Sequence, residues 1–180
     1  MRPSFENLIG KSDLVIIEIG VDCGNNAYDV LSNLDVKKMY LIDPYSLYMK
    51  GQGCNITEEQ CTECKEKAHN KLIEFADKTV WIEEKSEDVC SQFADLSIDF
   101  LYVDGNHRFE FVSKDLWWYY PKVKHGGILA GHDFDAKSVK DAVLYFAKCI
   151  ADPTRELCID IHYQKCDDPV GATDFWFYKP

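Results

Sequence analysis

The stretch LVIIEIGVDCGNNAYDVLSNLDVKKMYLIDP, residues 14–44, decides the fold. Residues 14–19 are an apolar run interrupted only by Glu18, the pattern of a strand buried on both faces. Residues 20–26 are rich in Gly, Asp and Asn, and Ala27, Val30, Leu31 and Leu34 then recur at helical spacing, so a loop feeds a helix. Residues 39–42 form a second short apolar strand, closed by Asp43 and Pro44.

The alternation continues outward from this unit. After a polar stretch at 46–55 with two glycines, Thr57 followed by Glu58, Glu59 and Gln60 reads as a capped helix start, with the helix running to about residue 76. Further strands are expected at 79–82, 98–103 and 128–130, the last preceded by a turn at Gly126 and Gly127. A short helix is expected at 86–93, longer ones at 109–120 and 139–150, and two closing strands at 157–163 and 174–178. The pattern predicts a single α/β domain over residues 1–180, with a Rossmann-like, doubly wound, mainly parallel sheet covered by helices on both faces. The late strands are close enough in sequence to pair antiparallel.

Composition narrows the function. The chain is 46% hydrophobic and 28% charged, with 10 Phe, 10 Tyr and 4 Trp, which is globular rather than disordered. A formal charge of -11 repels phosphate backbones and anionic lipid, so neither nucleic acid nor a membrane is the expected partner. No run approaches the roughly 20 apolar residues of a membrane span, and residues 1–10 lack a signal-peptide pattern, so a cytoplasmic location is expected. The 8 cysteines, several inside apolar or helical patterns, are read as thiols.

In doubly wound sheets ligands bind beyond the carboxyl ends of the strands. Here the strand ends carry acids: Glu18, Asp43, Asp104 and Asp133. Any one of them is readily explained as a turn former or cap, but a buried rim of carboxylates is costly unless a ligand satisfies it. The glycines at Gly20 and Gly24 let backbone approach a ligand, and Asp43 follows at about the spacing of a ribose-binding acid, which together indicate an adenosine-containing cofactor. Asp22 stands where a dinucleotide fingerprint has its middle glycine. It would repel a pyrophosphate and favour the sulfonium and amino group of S-adenosylmethionine (SAM), which places an NAD(P)-dependent oxidoreductase second and a non-catalytic binding module third.

The motif ExGxxxG after the first strand, with the acid after the second, resembles class I SAM-dependent methyltransferases. DFLYVDGNHRFEFVSKDLWWYYPKVKHGGILAGHDF, residues 99–134, is similar to the DxxH, helix, GG, strand, GHD stretch of an O-methyltransferase branch of that family. The resemblance implies that Glu18, Gly20 and Gly24 line the methionine end of SAM with Asp22 and Asp104 nearby, that Asp43 holds the ribose hydroxyls, and that Ser86 and Glu87 lie near the adenine. Ser86 and Glu87 read equally well as the cap and first-turn acid of a helix. The resemblance also implies a divalent metal, Mg, on Asp104 and Asp133, as in catechol and macrolide-sugar O-methyltransferases. It gives His107 the role of general base, with His132 as its competitor. Phe134 stands where the catechol enzyme has a further ligand. Asp135 or Asp22 would complete the set, or the metal is absent and a histidine acts alone.

The implied activity is methylation of a hydroxyl on a small molecule or saccharide, in a pocket built by residues 45–59, the loops after Asp104 and Asp133, and a second subunit if the chain is a homo-oligomer. Two other groupings have simpler readings. Cys54, Cys61 and Cys64 with His69 resemble zinc ligands, but Cys61 and Cys64 fall within a predicted helix and no second CxxC follows. The aromatic run Trp117, Trp118, Tyr119, Tyr120 reads as core packing with one ring free to stack on an acceptor, and Lys122, Lys124 and His125 as a solvated face.

Overall fold

A computed structural model describes residues 1–46, 57–150, 159–167 and 172–180. Its elements are α1 (Pro3–Glu6), β1 (Leu14–Ile19), α2 (Asn25–Asn33), β2 (Val36–Ile42), α3 (Glu58–Lys71), β3 (Thr79–Ile82), α4 (Ser86–Val89), β4 (Ile98–Val103), α5 (Phe109–Tyr119), β5 (Val123–Gly131), α6 (Lys137–Ile150), β6 (His162–Lys165) and β7 (Thr173–Tyr178). Short 3-10 turns extend α3, α4 and α5 at Ile73–Phe75, Cys90–Gln92 and Tyr120–Lys122.

The strands form one sheet in the order β3-β2-β1-β4-β5-β7-β6. β1 to β5 pair in parallel, and β7 runs antiparallel to both β5 and β6, as the sequence reading expects. Alternation along the strands feeds two cores. In β1, Ile17 and Ile19 join one cluster with Val143, Phe146 and Phe177, while Leu14 and Ile16 join the other with Phe5, Leu8, Val30 and Leu31. The order of strands reverses between β1 and β4, so the carboxyl ends of those two strands open a crevice.

The differences from the sequence reading are local. β2 begins at Val36 rather than 39, because Leu14 pairs with Val36 and Val15 with Lys38 across a register shift. The expected turn at Gly126 and Gly127 lies inside β5: Ile98 pairs with Val123 and Phe100 with Ile128, so the chain bulges between them and Gly126 takes the left-handed φ of 74° there. α3 begins with the expected capping box, Thr57 accepting from Gln60 N and Gln60 returning the bond, but ends at Lys71. Of the expected strand at 157–163, residues 157 and 158 lie outside the described residues, as does most of the polar stretch at 46–55, and residues 159–161 are not in a strand. The described strand there is His162–Lys165.

One expectation is corrected outright. The cysteines are not all thiols: Cys23 and Cys64 form a disulfide, whereas Cys61, Cys90, Cys149 and Cys166 are free. Cys54 and Cys158 lie outside the described residues. Only the fold brings the loop after β1 against α3, so spacing alone could not reveal the pairing. The zinc reading loses Cys64 to this bond, and His69 faces elsewhere, stacked on Trp81 with ring centroids 3.8 Å apart. Among the described residues no helix is long and apolar enough to cross a membrane.

Candidate active site

Glu18 lies next to last in β1, where neighbouring strands cover it on both sides, and is 1% exposed. Neither of its carboxylate oxygens has a hydrogen-bond partner. Burial, reinforced by the charge of Asp104, pushes its pKa well above the usual carboxylate range, while an interaction with the Asn26 amide too loose in geometry to count as a hydrogen bond, and the charge of Arg2, oppose the rise.

The chain leaves β1 through Gly20, whose φ of 87° and position are open to glycine alone, because a Cβ there would sit 2.2 Å from the Asp104 carbonyl oxygen. The loop from Gly20 to Gly24 is tied down by Asp43. Its Oδ2 accepts from the backbone N–H of Val21 at 2.9 Å and of Asp22 at 3.1 Å, and its Oδ1 from Tyr45 N at 2.8 Å. Tyr45 completes the tie by donating its hydroxyl to the Asp22 carbonyl at 2.8 Å. Burial still outweighs these three bonds and raises the Asp43 pKa. A carboxylate has about four lone-pair sites, so Asp43 retains acceptor capacity toward a ligand.

A second group forms where β4 and β5 end side by side. His107 Nε2 lies 3.5 Å from Asp104 Oδ1 and 3.3 Å from Asp133 Oδ2, and His132 Nδ1 lies 3.6 and 3.4 Å from the same two atoms. Two imidazoles thus face two carboxylates. Burial alone would raise Asp104 and lower His132, but the contacts prevail: His107 and then His132 hold Asp104 below its ordinary range, and Asp104 and Asp133 push His132 up to about 10. Contact with Asp104 raises His107, and contact with His132 lowers Asp133. One donor atom each from Asp104, His107 and Asp133 falls within a 4.8 Å span, a grouping able to hold a cation. The side chain that the fold brings beside Asp104 and Asp133 is His107, not Asp135 or Asp22. Asp135 accepts from Thr173 N at 3.0 Å, and Asp22 is exposed beside the disulfide. Phe134, at the position of the missing ligand, is 4% exposed and packs on Phe175.

Arg2, which sequence reasoning passed over, and Asn26 at the start of α2 join the strand-end acids. Arg2 Nε donates to Asn26 Oδ1 at 2.6 Å, which turns the Asn26 amide nitrogen toward Asp104 Oδ2 at 3.2 Å. Arg2 is itself anchored by Asp174, which is fully buried and also accepts from Ser4 and from the Tyr102 hydroxyl at 2.9 Å. The readable signal was Asp174, a carboxylate inside the otherwise apolar strand β7. Arg2 and Asn26 border a cleft of about 800 Å³ shared with Asn25, Tyr28, Lys71 and Cys166.

Ser86 and Glu87 have partners of their own on α5. Ser86 donates to Asp115 Oδ1, and Glu87 accepts from Lys114 at 2.7 Å. Of the aromatic run, Tyr119 is fully buried, while Trp117 is 40% exposed and meets Phe146 edge to face. Lys122 and Lys124 pair with Asp95 and Asp99.

The sequence model of a methyltransferase-domain family matches residues 17–134, more than half of the chain, from β1 to the end of the two-histidine group. The chain belongs to this family, and its fold is that of the class I SAM-dependent methyltransferases. It is 27% identical over 128 residues to the uncharacterized protein R132 of Acanthamoeba polyphaga mimivirus; the match takes in 71% of this chain and spans about half, 55%, of that relative. Among solved structures it is similar to SMU.1697c of Streptococcus mutans, crystallised with S-adenosylhomocysteine (SAH), at 17% identity and a TM-score of 0.68, covering 98% of this chain and 96% of that one. It is also similar to an rRNA methylase of Streptococcus thermophilus at 16% identity and TM-score 0.65, covering 98% and 92% of the two chains. A precorrin-6y C5,15-methyltransferase of Geobacter metallireducens matches at 10% identity and TM-score 0.67, covering 98% and 86%.

Proposed function

We propose that the protein is a SAM-dependent O-methyltransferase acting on a hydroxyl of a small molecule or saccharide. The observation that carries the reading is Glu18: a carboxylate buried at the crevice with neither oxygen hydrogen-bonded is destabilising on its own and fits a cationic ligand. The ammonium of the SAM methionine moiety supplies that cation. The backbone of Gly20 to Gly24 lies alongside the cofactor, Asp43 accepts from the ribose hydroxyls, and the adenine end extends toward Ser86 and Glu87.

An acceptor oxygen then attacks the sulfonium methyl carbon in line. The new C–O bond forms as the C–S bond breaks, and SAH leaves. The hydroxyl proton passes to His107, which is 41% exposed and can meet an acceptor, whereas His132 is 9% exposed and is the weaker candidate. Asp104 and Asp133 orient the His107 ring. As an alternative to the base role of His107, the donor set Asp104, His107 and Asp133 fits a divalent cation: two hard carboxylates suit Mg, and the imidazole extends the fit to Mn or Zn. When bound, such an ion orients an acceptor hydroxyl and lowers its pKa. The net charge of -11 favours an uncharged acceptor over RNA, in contrast to the rRNA methylase of similar fold.

Thermal shift and calorimetry with SAH and with NAD test the cofactor, and methyl transfer from labelled SAM to a panel of hydroxyl compounds tests the reaction. SAH is expected to stabilise the protein and NAD to leave it unchanged, and His107→Ala to lose turnover while still binding SAH. Stabilisation by NAD alone, or full turnover by His107→Ala, would overturn the reading.

A further inference from the structure

We propose that the Cys23–Cys64 disulfide is a thiol–disulfide exchange site that sets cofactor affinity, a proposal that rests on the SAM-site reading above. Cys23 sits inside the glycine loop, between Asp22, whose N–H is held by Asp43, and Gly24, which precedes α2. Cys64 lies in α3. The bond therefore joins the loop that must lie against the cofactor to the N-terminal half of α3, where the Cys64 sulfur also lies 3.0 Å from Asp22 Oδ1.

α3 is poorly anchored by packing. Ala68 is its one buried residue among fourteen, and the helix is otherwise made mostly of charged and polar side chains. Its remaining attachments are polar or exposed: Lys65 with Glu83, the His69 ring on Trp81, and Lys71 with Asn25. Exposed ion pairs of this kind contribute little. Ala68 does touch the loop, lying 3.2 Å from where a Gly24 side chain would begin, so the helix seats closely on it while the disulfide holds.

Both bonded cysteines are partly exposed and Asp22 beside them is exposed, which leaves the bond accessible to an attacking thiolate. Exchange with a dithiol reductant balances simply. Its first thiolate attacks one sulfur to give a mixed disulfide, and its second displaces the protein thiol, so that two electrons and two protons pass to Cys23 and Cys64 and the reductant leaves as its cyclic disulfide. With the bond open, the loop keeps the Asp43 bonds to Val21 and Asp22 but loses its covalent hold on Cys23, so Cys23 and Gly24 are free to shift away from the cofactor.

The test is SAH binding by calorimetry to the full chain, untreated and after reduction with excess dithiothreitol. Alkylation and peptide mass mapping report the state of Cys23 and Cys64 in each sample. Reduction should weaken SAH binding by at least about tenfold, reoxidation should restore it, and Cys64→Ala should bind weakly and ignore dithiothreitol. If Cys64→Ala does not fold, the reduced wild-type protein gives the same reading. Unchanged affinity after complete reduction overturns the proposal, as does finding both cysteines as thiols, or a stoichiometric zinc ion, in the untreated protein. If the oxidised protein binds no SAH at all, the cofactor reading fails together with this proposal; binding that is merely indifferent to reduction overturns this proposal alone.

Discussion

α3 and α6 are both fourteen residues long and lie in the same α/β framework, yet they are held by different physics. α6 buries Val139, Ala142, Val143, Phe146 and Ala147 along one stripe against the sheet. α3 buries Ala68 alone and is fixed to the rest of the molecule by a disulfide, an ion pair and a stacked ring. The helix that builds the core is attached by apolar area. The helix that borders the crevice is attached by contacts that chemistry can make and break.

The largest effect expected from this contrast is at Phe146, fully buried and touching Trp117, Tyr120 and Phe177. Phe146→Ala should cost about 3–5 kcal/mol in denaturant unfolding, with no dependence on reductant. Next comes Cys64→Ala, expected to cost about 2–4 kcal/mol, a loss that reduced wild-type protein should share and that the variant should not add to under dithiothreitol. Equal costs with and without reductant at Cys64 would remove the distinction between the two helices.

A third change sharpens the comparison on the packed side. Asp115 in α5 is buried, and burial pushes its carboxyl up to about 7, with the Ser86 bond and Lys114 opposing and Glu87 assisting. The folded protein thus binds this proton more tightly than the unfolded chain does. Its contribution is complete below the ordinary carboxylate range and fades as pH rises through about 7. Asp115→Asn should therefore raise stability by about 1–3 kcal/mol at pH 8 and leave it nearly unchanged at about pH 4, read as melting temperature across pH. The smallest effect is at the rim of α3: Lys65→Ala breaks an exposed ion pair with Glu83 and should cost less than about 1 kcal/mol, falling further in high salt.

The same contrast explains what was legible in the sequence. The parallel strands were readable because burial on both faces demands continuous apolar runs such as residues 14–19, and the strand-end acids because each follows such a run. α6 announced itself by its stripe. α3 could be recognised as a helix from its capping box, but nothing in a polar helix says where it docks, so the partner of Cys64 was hidden. The convergence of His107 with Asp133 depends on β4 and β5 being neighbours, which spacing does not specify. Arg2 was missed because its anchor Asp174 lies near the other end of the chain, and its direct bond to Asn26 exists only once tertiary structure brings the three together.

The central claim is that Glu18 exists to hold a cationic cofactor and not to stabilise the fold, and calorimetric titration of SAH into the wild type and Glu18→Gln, with melting temperatures for both, tests it most directly. The amide should bind SAH about 10–100-fold more weakly while the unliganded variant melts higher, because a buried unpaired acid has been removed. SAH binding that is the same in both proteins would contradict the account.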